Sequence, residues 1–120
     1  MNKLAEEARR LALKDYEDLY DIDEHGTVFN RKQDRPIYVD RTNQHGYHRV
    51  NLFGPNGRSR QFVHRLAAKT FHPDKYTADL VIDHLDGDKT NNHYTNLEPI
   101  TQSDNTLRAI ALGLRSYGKK

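Results

Sequence analysis

Asp83 and His84 follow the apolar run Leu80–Val81–Ile82, and a polar loop, Asp86–Gly87–Asp88–Lys89–Thr90–Asn91–Asn92, comes soon after them. Asn96 then precedes a second short apolar run, and Asn105 falls in what reads as the first turns of a helix. A neutral histidine can take a proton near physiological pH. Carboxylate and amide oxygens suit a hard divalent cation, which keeps other positions open for water and substrate. Hydrolysis of a phosphodiester asks for these parts: a base for the attacking water, and positive charge against the pentavalent transition state and the leaving 3′ oxygen. Asp83 and Asn105 would supply two oxygen ligands and leave room for a phosphate.

Other readings of these residues compete. Asp86–Asn92 taken alone is also a good tight turn. An EF-hand does not fit, because with Gly87 as the obligatory glycine the first ligand position falls on Ile82 and the twelfth on His93. Thiolate zinc sites, disulfides and cysteine nucleophiles are excluded, since the chain has no cysteine. His64 could touch a phosphate or serve structurally at a helix start. His93 reads as an exposed loop residue, and Asn96 as a structural one.

The elements that must position these groups are legible as a change of texture. Residues 2–14 are rich in helix formers, and Leu4, Ala8, Leu11 and Ala12 give one apolar face, which predicts a short amphipathic helix. Between Tyr20 and Phe62 short β-branched and aromatic segments alternate with turn signals. Strands are expected at Tyr20–Asp23, Thr27–Asn30, Pro36–Val39, Tyr47–Phe53 and Arg60–Phe62, with turns at His25–Gly26, Gln44–Gly46 and Gly54–Gly57. Asn56–Gly57 is a hairpin signal because both residues tolerate positive φ. Alternation puts Val50 and Leu52 towards a core, with Arg49 and Asn51 outward. Val63, Leu66, Ala67 and Phe71 return to helical spacing, and His72–Pro73 ends that helix. Strands near Leu80–Ile82 and Leu97–Ile100 flank the polar loop, and Thr101 or Ser103 would cap the last helix.

With 120 residues, 35% hydrophobic and 30% charged, the chain is one ordinary domain with a modest core. No apolar run approaches a membrane span and no signal-peptide pattern opens the chain, so a cytoplasmic protein is expected. The net charge of +2 hides a pattern. Residues 25–75 carry ten basic against three acidic side chains, whereas residues 76–105 carry one against six. A basic middle beside an acidic cluster is what a phosphate-binding surface next to a cation site would look like.

The stretch VIDHLDGDKTNNHYTNLEPITQSDNTLRA, residues 81–109, resembles the HNH endonucleases, especially the phage and intron homing type. Asp83–His84, the Gly87 loop, Asn96–Leu97 and Asn105 stand in the family's order, in an HNN variant of the motif. Val63–His64–Arg65–Leu66 with Phe71 is similar to the helix that precedes the motif, and the strands of 20–62 to the N-terminal β region. The resemblance implies an α+β protein with a ββα-metal unit. His84 would be the general base, Asp83 and Asn105 the ligands of one Mg²⁺ or Mn²⁺, and Asn96 the residue that ties the loop down and orients His84. His64 would be structural or support the site. The expected organisation is an N-terminal helical appendage (1–18), an antiparallel DNA-contacting region (19–62), the nuclease unit (63–112) and a basic tail (113–120). Double-stranded DNA would be held through Arg31, Lys32, Arg35, Arg41, Arg49, Arg58 and Arg60, by a monomer or weak homodimer. The alternatives are a catalytically silent DNA-binding protein, or an HNH nuclease of phage packaging or defence.

Overall fold

The computed structural model describes residues 9–41 and 46–111. Four short antiparallel strands form the first sheet in the order β1 (Arg10–Ala12), β2 (Tyr20–Asp23), β3 (Val28–Asn30) and β4 (Arg35–Pro36). A two-stranded ribbon follows, β5 (Arg49–Gly54) with β6 (Gly57–Phe62), and leads directly into helix α1 (Val63–Phe71). Next comes the hairpin β7 (Val81–His84) and β8 (Leu97–Ile100), joined by the polar loop and one 3-10 turn at Tyr94–Asn96. Helix α2 (Gln102–Ala111) closes the described chain.

The expected N-terminal helix is corrected: the described chain starts in a strand. Leu11 pairs with Ile22 and Arg10 with Asp23, and Leu13 just beyond the strand is fully buried. The period-two pair Leu11 and Leu13 wins over helical spacing because the open edge of β2 offers backbone partners, while a short isolated helix is marginal in water. Residues 1–8 of that expected helix, the Gln44–His45 turn and the tail 113–120 lie outside the described residues.

The ribbon turns through Pro55–Asn56 between paired Gly54 and Gly57, and only Gly57 takes a positive φ, +97°. Asn56 does not, so proline at the first turn position sets the geometry rather than an Asn–Gly pair. Val50 and Leu52 are buried as the alternation implied, and their neighbours Asn51 and Phe53 lie opposite Arg60 and Arg58 on the other face. Strand β4 is shorter than expected, since β3 runs out of partners at Asn30–Arg35 and Ile37 is held by a single bond to Val28. Thr101 Oγ1 accepts from the Asp104 N–H and so caps α2.

One apolar core joins the first sheet, the ribbon, α1 and the β7–β8 hairpin. Leu13, Tyr20, Ile22 and Val28 of the first sheet pack with Val50 and Leu52 of the ribbon, Val63, Leu66 and Ala67 of α1, and Ile82 and Leu97 of the β7–β8 hairpin. Polar links cross the same seam: the Phe53 N–H donates to Tyr20 Oη, and the Lys14 N–H to Thr70 Oγ1.

Candidate active site

His84 is the last residue of β7, opposite Leu97, and is almost wholly buried. Its Nε2 lies 2.9 Å from Oδ1 of Asn92, itself only 4% exposed. A carbonyl oxygen accepts, so the imidazole proton sits on Nε2 and the lone pair on Nδ1. Sequence reasoning passed over Asn92, as one of two asparagines in a turn. Its signal was its place at the far end of the loop that starts beside His84.

The loop between the two strands braces itself. The Asp86 carboxylate accepts from the Asp88 N–H, from Asn91 Nδ2 and from Asn96 Nδ2. Those hydrogen bonds, Asn91 first, hold its carboxyl below the usual range. Asn96 Oδ1 accepts in turn from the Asp86 N–H, Asn96 Nδ2 also donates to the Asn91 carbonyl, and the Leu85 N–H donates to the Asn96 carbonyl. Asn96 thus ties down both ends of the loop, while the side-chain bond to His84 itself comes from Asn92.

Asn92 is fixed from the other side by the β2–β3 turn. Gly26 has φ +85°, and a Cβ there would lie 2.9 Å from Asn92 Cβ and 3.1 Å from both the Asn92 carbonyl oxygen and Val63 Cγ1. The Tyr94 N–H donates to the Glu24 carbonyl, which docks the same turn onto the loop. Asp23 Oδ1, accepting from the His25 and Thr27 N–H groups, holds the turn in shape.

Two aromatic rings stand beside His84. His64, in the first turn of α1, has its ring centroid 5.3 Å from that of His84 and stacks on Tyr47 at 4.6 Å. Tyr47 lies 5.8 Å from His84, and Lys89 Nζ sits 5.0 Å from the Tyr47 ring. Burial pushes the His64 pKa down to about 3, helped by the neighbouring His84 and Arg65. His64 is therefore a neutral imidazole at physiological pH.

Asp83 is buried on β7, one residue before His84, and by the pleat faces the opposite side of the strand. Helix α2 packs against β7 and carries Asn105 in its first turns, where the Asn105 N–H donates to the Thr101 carbonyl. Asp83 and Asn105 thus stand on two packed elements, and carboxylate and amide oxygens are the donor types that suit a hard divalent cation. No group of three or more His, Cys, Asp or Glu side chains suited to a metal occurs among the described residues.

The expected DNA contacts divide into two groups. Arg31 is paired with Asp21 at 2.7 Å, and Arg49 with Asp40 at 2.8 Å. Lys32, Arg35, Arg41, Arg58 and Arg60 are exposed and form no ion pair among the described residues. Arg58 and Arg60 share the outward face of the ribbon with Asn51 and Phe53.

Residues 61–107 match the family model described as HNH endonuclease. Over 96 residues the chain is 38% identical to YosQ of Bacillus subtilis (strain 168), a SPbeta prophage-derived protein named as an HNH homing endonuclease; the match covers 79% of this chain and 54% of that protein. Over 108 residues it is 37% identical to the DNA endonuclease I-HmuI of Bacillus phage SP01, covering 89% of this chain and 60% of the other. A solved structure, "DNA binding and cleavage by the HNH homing endonuclease I-HmuI", superimposes with a TM-score of 0.79 at 33% identity, over 90% of this chain and 61% of that one. The chain thus spans little more than half the length of these relatives. With the matched segment, the relatives and the shared fold in agreement, the chain belongs to the HNH endonucleases of the homing type.

Proposed function

We propose that this chain is a metal-dependent endonuclease that hydrolyses phosphodiester bonds of duplex DNA. The His84–Asn92 hydrogen bond carries the reading. With Nε2–H donated to Asn92, Nδ1 of His84 is the atom that takes the proton of the attacking water, and the ring is held at the angle this needs. A divalent cation, Mg²⁺ or Mn²⁺, held by Asp83 and Asn105 would supply positive charge against the scissile phosphate and the leaving 3′ oxygen. Asn96 keeps the loop, and with it His84, in place. Lys32, Arg35, Arg41, Arg58 and Arg60 hold the backbone of the duplex, with Arg31 and Arg49 available once their carboxylate partners let go.

The phage and prophage relatives favour a homing-type or free-standing nuclease; packaging or defence would use the same chemistry. One constellation addresses one strand, so a monomer should nick and a double-strand break would need a second subunit. Supercoiled plasmid incubated with Mg²⁺, with Mn²⁺ and with EDTA tests the proposal. Open circles should appear first, with either cation and not in EDTA. DNA binding without any cutting would identify a silent DNA-binding protein instead. Direct linear product would point to a dimer.

A further inference from the structure

His64 is an unusual residue to bury. It is 7% exposed, and its Nδ1 is sealed from solvent without a hydrogen-bond partner. Leaving a buried polar atom unpaired is destabilising. A simple packing role would be filled better by phenylalanine, a ring of similar shape. The tautomer that costs least puts the proton on Nε2, so that the sealed atom is a lone pair and not an orphaned N–H. Nε2 is not sealed in this way. The ring plane is fixed by the stack on Tyr47 and by Phe62, 5.4 Å away, and the whole assembly stands beside His84. The surroundings favour an anion. Helix α1 has no side-chain cap at Phe62, so its first turn presents partial positive charge, and the Lys89 ammonium lies over the Tyr47 ring.

We propose that His64 is a further catalytic residue, a neutral imidazole whose Nε2–H donates a hydrogen bond to a non-bridging oxygen of the phosphodiester attacked with the help of His84. This rests on the reading of the chain as a DNA nuclease. Neutrality serves the role: a fixed N–H aimed at developing negative charge acts without a proton changing hands, and leaves the proton of the attacking water to His84. Two imidazoles 5.3 Å apart would oppose each other if both were charged.

The test uses His64→Phe and His64→Gln in the full chain, with two readouts. His64→Phe keeps the stack and lacks the donor; His64→Gln returns an amide N–H near the position of Nε2. His64→Phe should fold at least as stably as wild type and bind duplex DNA in EDTA within about threefold. Its single-turnover cleavage of plasmid should fall about 10²-fold, the usual effect of losing one donor to a developing oxyanion. His64→Gln should recover part of that loss. Independently, ¹⁵N spectra of the wild-type imidazoles should show a protonated Nε2 on His64 that shifts when a short duplex is added in EDTA. Wild-type cleavage rates in His64→Phe, or a His64 signal indifferent to DNA, would overturn the proposal. Should His64→Phe fail to fold, the spectra decide. A wild-type chain that does not cut at all would sink the nuclease reading, and the DNA-induced shift would still report on the contact.

Discussion

Replacing Gly26 by alanine should damage a site from which Gly26 is absent. Two costs add. A left-handed backbone is unfavourable to an L-residue by about 1–2 kcal/mol, and Gly26 sits at φ +85°. The new methyl would also meet Asn92 Cβ at 2.9 Å, with the Asn92 carbonyl and Val63 Cγ1 at 3.1 Å. Neither neighbour is the free end of a flexible chain, and overpacking of this kind costs about 1–3 kcal/mol. The sum, about 2–5 kcal/mol, is a large part of the roughly 5–15 kcal/mol available to a domain. The strain relaxes by moving Asn92, and Asn92 holds His84. Small misplacements of catalytic groups are expensive, so cleavage per folded molecule should fall about tenfold or more. Urea unfolding gives the first number, and single-turnover cleavage at a temperature where both proteins are folded gives the second. Gly57→Ala separates the two costs, because Gly57 also has positive φ, +97°, but nothing lies within 4 Å of an added Cβ. If Gly26→Ala lies within about 0.5 kcal/mol of wild type, the close approach has been misjudged. If it is destabilised but cuts normally, the turn does not position Asn92.

His84→Ala should reduce cleavage by about 10²–10⁴-fold while DNA binding persists, as measured by plasmid cleavage and by gel shift in EDTA; wild-type rates would move the base elsewhere. Charge reversal at Arg58 and Arg60 should weaken binding and flatten its salt dependence, each lost phosphate contact lowering the slope of log K against log salt by about 0.9. An unchanged slope would make the ribbon a solvated surface. Stability should fall with acidification through His64: its pKa drops from the ordinary 6.5 to about 3 on folding, so its contribution is complete above 6.5 and lost as pH falls towards 3. Wild type should lose about 2 kcal/mol more than His64→Phe between pH 7 and pH 5, read from denaturant titrations; equal losses would mean that His64 is not buried neutral.

The parts of the fold that a periodic pattern specifies were readable in the residues. Helix α1 ends where Pro73 forces it to, and β2, β8 and the inward Val50 and Leu52 follow from alternation. What was not readable depends on long-range partners. Arg10–Ala12 carries helix formers, yet the edge of β2, ten residues on, decides its state. Asp83, His84, Asn96 and Asn105 stood out by residue type and by family resemblance. Asn92 and Gly26 did not, because an asparagine in a turn and a glycine in a hairpin are unremarkable until the fold lays one against the other. Nor does sequence show which arginines are already engaged: Arg31 and Arg49 look like Arg58 until Asp21 and Asp40 are seen beside them.

The shared core has a consequence for how such a chain can be cut and spliced. Val63, Leu66 and Ala67 bury themselves against Leu13, Ile22, Val28 and Leu52, so a fragment beginning at the family-matched segment, residue 61, would leave one side of α1 facing water. The β2–β3 turn that fixes Asn92 would be lost with it. A transplant meant to carry the proposed chemistry to a different scaffold therefore needs its amino-terminal junction before β1, ahead of Arg10. The ribbon, by contrast, ends in an exposed Pro55–Asn56 tip that contributes nothing to that core, and is the place where insertions could alter DNA contacts without disturbing His84.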